Sequence, residues 1–187
     1  MPSPETLREI AGDQLPDALR ALAAARHLAL ENGTVALAHP FATRTFGFSV
    51  MSHDTLWWGG CAWDAFAIPH LVGTDALVAT RCPTCDAALA WVVDRTAPPT
   101  GPAVAHFLVP LARMWDDVIH TCENQRLYCS AACIPDGPGT TLDLATLWRL
   151  ASHWYDGRLE RGYTRRDATA AKEYFRSVGL AGEFWGL

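Results

Sequence analysis

The sequence predicts an α+β fold. Helical periodicity is confined to the two ends of the chain, while the middle breaks into short runs rich in aromatic and β-branched residues, separated by Gly, Pro, Asn and Asp. With 187 residues, half of them hydrophobic, there is enough apolar material for one substantial core, or one core with a small appendage.

Taken in order, Pro4 to Gly12 reads as a first helix and Leu15 to Leu30 as a second, with Leu15, Ala18, Leu19, Leu22, Ala25 and Leu30 near one face. Asp13, or Pro16 with Asp17, punctuates the second start. Asn32-Gly33 then separates helix from a strand at Thr34 to Ala38. Helix, turn and strand in that order resemble the last part of a winged helix, so residues 1–44 are expected to form a truncated winged-helix-like module and residues 45–187 the main domain. With little positive charge, such a module suits packing or a lid better than DNA reading.

Phe46 to Val50 and Thr55 to Trp58 read as two aromatic strands joined through Ser52-His53-Asp54. Further strands are expected at Ala76 to Thr80, at Ala87 to Val93, and at Ala103 to Val109 after the Pro98-Pro99-Thr100-Gly101-Pro102 loop. Helices return at Leu142 to Tyr155, with Asp143 near the start and Gly157 as a stop, and at Asp167 to Val178 before Gly179. The expected core is an antiparallel or mixed sheet with flanking helices.

The net charge of −5 argues against a nucleic-acid surface. The one basic cluster, Arg158, Arg161, Arg165 and Arg166, is interspersed with Asp156, Glu160 and Asp167 and reads as a solvated helix rim. No apolar run approaches the roughly 20 residues that cross a bilayer, and Met1-Pro2-Ser3-Pro4-Glu5 has neither a basic nor an apolar leader pattern, so a cytoplasmic setting without membrane partners is expected. Six cysteines would stay reduced there and must be buried, metal-binding or reactive.

Four of them form two close pairs. Cys82-Pro83-Thr84-Cys85 is a Cys-x2-Cys knuckle, and Cys129 and Cys133 flank a small-residue turn after Tyr128, like the strand-to-helix half of a treble clef. Four thiolates at this spacing suit tetrahedral zinc in a closed, structural site. A Cys-x2-Cys redox pair and unmetallated buried thiols are the other readings.

The remaining two point to chemistry. In Trp58-Gly59-Gly60-Cys61-Ala62-Trp63-Asp64-Ala65-Phe66-Ala67-Ile68-Pro69 a thiol and a carboxylate stand three apart after two glycines. If a helix opens there, Cys61 and Asp64 share a face, the thiolate is favoured by free backbone N–H groups, and the carboxyl can carry a proton. The plainer reading is a small buried Cys61 and a first-turn Asp64 that complements the helix dipole. Cys122 lies in the polar segment Asp117 to Gln125. If a strand carrying it passes the Cys61 helix, two thiolates and a carboxyl group surround one pocket, a donor set suited to a soft electrophile such as Hg(II).

These residues resemble the alkylmercury (organomercurial) lyase family. Leu56 to Pro69 resembles the family segment that carries its first catalytic cysteine and catalytic aspartate. The likeness continues through Leu71-Val72-Gly73, Cys82, Asp117 to Cys122, and Gly179 to Phe184. The resemblance implies protonolysis of a carbon–mercury bond, R–Hg⁺ giving R–H and Hg²⁺, with Cys61 and Cys122 holding mercury as substrate and product and Asp64 protonating the departing carbon. It implies no organic cofactor, a small organomercurial as substrate, and a small thiol or a mercuric reductase as the Hg²⁺ acceptor. Three features depart from the family pattern: a shorter N-terminal part, Glu123 where some members have a second cysteine, and the added set Cys85, Cys129 and Cys133. The competing readings are the same fold applied to another small molecule, and a thiol-rich metal-binding protein without catalysis.

The seven histidines form no His-x3-His pattern, and His120 is the only one near a candidate catalytic thiol in sequence, as a base or simply a surface residue. Among eight tryptophans, Trp57, Trp58 and Trp63 flank the Cys61 motif, where they either wall an apolar pocket or pack the core.

Overall fold

The computed structural model describes residues 3–187; Met1-Pro2, where the leader reading begins, lies outside them. The chain runs through α1 (Pro4–Ala11), α2 (Leu15–Ala24), β1 (Ala29–Glu31), β2 (Thr34–Ala38), β3 (Phe41–Ala42), β4 (Phe48–Ser52), β5 (Thr55–Gly59), α3 (Ala62–Val72), β6 (Ala76–Arg81), β7 (Ala88–Val93), β8 (Val104–Phe107), α4 (Val118–Glu123), β9 (Gln125–Tyr128), β10 (Thr140–Asp143), α5 (Leu144–Ser152) and α6 (Ala168–Ser177). The fold is α+β, as the sequence predicts. One sheet has the order β1-β2-β3-β5-β4-β6-β7 and a smaller one β10-β8-β9, and their paired strands are antiparallel.

Helix α3 organises the core. Ala62 to Pro69 are all buried, so this helix is apolar around its circumference rather than along one stripe. It packs on α5, on β4, β5 and β6 of the large sheet, and on β9 of the small one. Phe48, Phe66, Phe107, Leu127, Leu147, Phe175 and Trp185 fill the space around it.

The second helix is shorter than its periodicity suggests. It ends at Ala24, Arg26 takes a left-handed conformation at φ 60°, and residues 29–31 become β1. Asn32 and Gly33 follow with φ of 52° and 78°, the two consecutive left-handed residues of a tight hairpin that sets Glu31 opposite Thr34. An apolar run as short as Leu28-Ala29-Leu30 fits helix or strand equally, and pairing with β2 decides the matter. The hairpin continues through β3, whose Ala42 pairs with Trp58, so the large sheet runs unbroken across residue 44.

Most of the other expected elements fall within a few residues of their predicted bounds, whereas α4, β3 and β10 carry no expectation of their own. Thr140–Asp143 is a strand, so α5 begins only at Leu144, with the Asp143 carboxylate accepting from Thr146 N at 2.7 Å. Asp167 caps α6 likewise, accepting from Ala170 N at 2.8 Å. The arginine-rich stretch between α5 and α6 is irregular, not a helix rim. Among the described residues no helix is long and apolar enough to cross a membrane.

Candidate active site

Cys61 is the N-cap of α3. Its backbone is extended, and its Sγ accepts a hydrogen bond from Asp64 N at 3.4 Å, which puts the thiol and the Asp64 side chain on one end of the same helix. Both residues are buried. The preceding glycines permit this placement. A Cβ on Gly59 would stand 2.8 Å from Ala65 Cα, and one on Gly60 would stand 2.6 Å from Asp64 Oδ2 and 2.7 Å from Leu37 Cδ2.

Cys122 arrives from a helix, not from a strand. Asp117 caps α4 by accepting from His120 N at 2.9 Å, and the single turn and a half buries Thr121 and Cys122 while leaving His120 exposed. The Cys61 and Cys122 thiols line the same cavity, close enough for each to shift the ionisation of the other. His39 Nδ1 or Nε2, an Asp64 carboxylate oxygen and Cys122 Sγ lie within 4.8 Å of one another. Thus Cys61, Asp64 and Cys122 come together in one place.

Two further residues, which sequence reasoning does not single out, hold the carboxylate. Tyr155 Oη donates to Asp64 Oδ1 at 2.6 Å, and His39 Nδ1 lies 3.1 Å from Oδ2. His39 is fixed in turn: its carbonyl accepts from Arg158 Nε at 3.1 Å, and its ring meets the Trp115 ring edge-on at 5.5 Å. Among the described residues, His39 Nε2 and Trp63 Nε1 are buried polar atoms without a hydrogen-bond partner. Neither position carries a local signal, because each is brought to Asp64 by tertiary packing. His120 instead pairs with Asn124, its Nδ1 3.3 Å from Nδ2, and is outside the cavity.

The site opens into a cavity of about 420 Å³. Its apolar walls include Trp63, Leu111, Trp115, Trp154, Phe175 and Trp185, whereas Trp57 and Trp58 sit half-buried on β5 outside it. This volume suits a small ligand.

Burial pushes the Cys61 thiol far up, and the neighbouring Cys122 thiol and Asp64 carboxylate push it further. The neighbouring Cys61 thiol pulls the Cys122 thiol down, but burial and the Asp64 and Glu123 carboxylates outweigh it, so Cys122 is raised as well. Burial, reinforced by Asp64, also lifts Tyr155 well above its ordinary value of 10, so its hydroxyl stays a donor to Asp64.

The other four cysteines converge separately. Cys82 and Cys85 close the β6–β7 hairpin, while Cys129 and Cys133 bracket the turn after β9. Cys129 Sγ lies 3.3 Å from Cys133 Sγ and 3.6 Å from Cys85 Sγ, and Cys133 Sγ lies 3.9 Å from Cys85 Sγ. A tetrahedral ion with bonds near 2.3 Å spaces its sulfurs about 3.8 Å apart, so this cluster can hold a metal ion. Burial raises the Cys82 thiol, but backbone N–H groups of Cys129, Cys85 and Thr84 overcome it and bring the pKa to about 6. The cluster ties the large sheet to the small one.

A family profile for alkylmercury lyase matches residues 41–156, more than half of the chain and including Cys61, Asp64 and Cys122. A solved structure described as the mercury-bound form of MerB2 is similar at a TM-score of 0.60 and 13% identity, covering 78% of this chain and 79% of that one. Comparison with curated proteins gives no match. The likeness to the solved structure is one of fold, and the profile match supplies the family: this chain belongs to the alkylmercury lyases.

Proposed function

We propose that the protein is an organomercurial lyase that cleaves a carbon–mercury bond by protonation, with Cys61 and Cys122 as mercury ligands and Asp64 as proton donor. The observation that carries this reading is the meeting of two buried thiols and one buried carboxylate in a small cavity, with the carboxylate gripped by Tyr155 and His39.

The steps balance. One of the two thiols forms the first sulfur–mercury bond to R–Hg⁺ as a thiolate, its proton leaving to solvent. The other then bonds to mercury, and its S–H proton passes to Asp64. With two sulfurs donating density, the carbon–mercury bond weakens, and Asp64 returns that proton to carbon as R–H departs. Mercury is left as a bis-thiolate, which a small thiol or a mercuric reductase removes by ligand exchange. Tyr155 and His39 hold the carboxylate in place throughout.

In this reading the cysteine cluster Cys82, Cys85, Cys129 and Cys133 holds structural zinc. With its four ligands closed around it, zinc supplies stability and no step of the reaction. Residues 1–44 serve as an N-terminal module, joined to the large sheet through β3, that brings His39 against the catalytic part, residues 45–187. A reducing compartment such as the cytoplasm keeps all six thiols available.

The test is multiple-turnover benzene release from phenylmercury with excess small thiol under reducing conditions. More than one benzene per protein supports the lyase; stoichiometric mercury uptake without benzene favours a metal-binding protein.

A further inference from the structure

The arginine-rich stretch that reads as a solvated rim in sequence instead borders the cavity. Arg26, Arg158, Arg165, Arg166 and Lys172 all line it. Among the described residues none of the five forms an ion pair. Their anchors are neutral: Arg158 Nε donates to His39 O at 3.1 Å, Arg165 to Arg26 O at 2.9 Å, and Arg166 to His153 O at 2.8 Å. Arg165 also lies over the Trp115 ring at 4.6 Å, so its position is fixed without its charge being cancelled.

The acids that line the cavity, Asp64 and Asp167, are outnumbered by this set and form no ion pair with it. Asp64 is held by Tyr155 and His39, and Asp167 caps α6. Burial grades the site from a floor of Cys61, Asp64 and Cys122 to half-buried Arg158, Arg165 and Arg166 and exposed Arg26 and Lys172. A chain of net charge −5 thus lines one cavity with five cations against two carboxylates. The same cavity is lined by Trp63, whose buried indole N–H has no partner among the described residues and can only donate. Cations and an unused donor above two thiols call for a ligand with mercury at one end and anionic oxygen at the other.

We propose that this rim selects mercurials that carry a carboxylate. The carboxylate sits either on the organic group or on a thiol already bound to mercury, and the rim attracts and orients it while mercury descends to the sulfurs. That the ligand is a mercurial rests on the lyase reading; recognition of the anion does not.

Two measurements test this. In tryptophan-fluorescence titrations, benzoate binds the protein whereas benzyl alcohol binds at least about tenfold more weakly, and Arg165→Gln and the exposed Lys172→Gln each lose benzoate affinity without changing benzyl alcohol. In turnover with 2-mercaptoethanol, kcat/KM for 4-carboxyphenylmercury exceeds that for phenylmercury about tenfold if the organic group carries the anion. If the thiol carries it, phenylmercury is accelerated about as much when mercaptosuccinate replaces 2-mercaptoethanol. No benzoate binding, benzoate binding unaltered in both variants, or active enzyme with no preference in either turnover arm overturns the proposal. Benzoate binding that is lost in the variants, with neither mercurial cleaved, sustains the anion site and sinks the lyase reading instead.

Discussion

His39 Nδ1 lies 3.1 Å from Asp64 Oδ2, joining a turn of the N-terminal hairpin region to the first turn of the central helix across 25 residues of chain. With Tyr155 on the other oxygen at 2.6 Å, the carboxylate has both its orientation and its proton traffic defined by neighbours. Removing either neighbour should therefore disturb proton delivery more than mercury capture.

His39→Gln and Tyr155→Phe are expected to slow arene release by about 10- to 100-fold, below the range typical for losing a general acid outright. Mercury uptake, followed by the spectrum of the mercury–thiolate bonds, should stay near the parent rate. Uptake and release falling together would assign both residues a purely structural role.

Gly60→Ala is expected to separate chemistry from stability. The added methyl meets only side-chain ends, the Asp64 carboxylate and the tip of Leu37, so the protein should fold while the carboxylate is pushed off its Tyr155 and His39 partners and proton delivery is lost. Gly59→Ala meets the Ala65 backbone and should instead cost about 1–3 kcal/mol in denaturant unfolding.

Much of this placement is legible in the chain itself. Two glycines before Cys61 and an unbroken apolar run after it mark a helix that begins against other backbone and is buried all round, and the paired cysteine spacings mark a four-sulfur cluster. Leu28 to Leu30 fit the helix pattern only because so short an apolar run satisfies either period. His39 and Tyr155 carry no such signal: their partner is set by strand pairing and helix packing, and no spacing to Asp64 encodes it. The Arg158 to Arg166 charges suit an exposed helix by spacing alone, and only the path of the irregular segment turns them toward the cavity.

Metal analysis of protein purified under reducing conditions without chelator should find about one zinc per chain. Stripping it should lower the melting temperature, since the ion ties Cys82 and Cys85 of the large sheet to Cys129 and Cys133 beside the small one. A metal-free protein with an unchanged melting point would contradict a structural zinc.

Acid should weaken the fold through His70. Burial against Trp148, with help from the positive charges of His153 and Arg95, lowers its pKa from 6.5 to about 4. The unfolded chain takes up a proton near 6.5 and the folded chain only near 4, so this stabilisation is complete above pH 6.5, declines as pH falls toward about 4, and changes no further below. The partial exposure of the ring keeps the effect small. His70→Gln should flatten the melting temperature across that window; an identical acid slope in the variant would contradict the assignment.

The most direct test of the central claim is single-turnover reaction of reduced protein with an arylmercurial, following mercury capture and arene release together in the parent and in Asp64→Asn. The first sulfur–mercury bond should form equally fast in both, with release at least about a hundredfold slower in the variant. Release at the parent rate from Asp64→Asn would show that the proton comes from elsewhere and would contradict the claim.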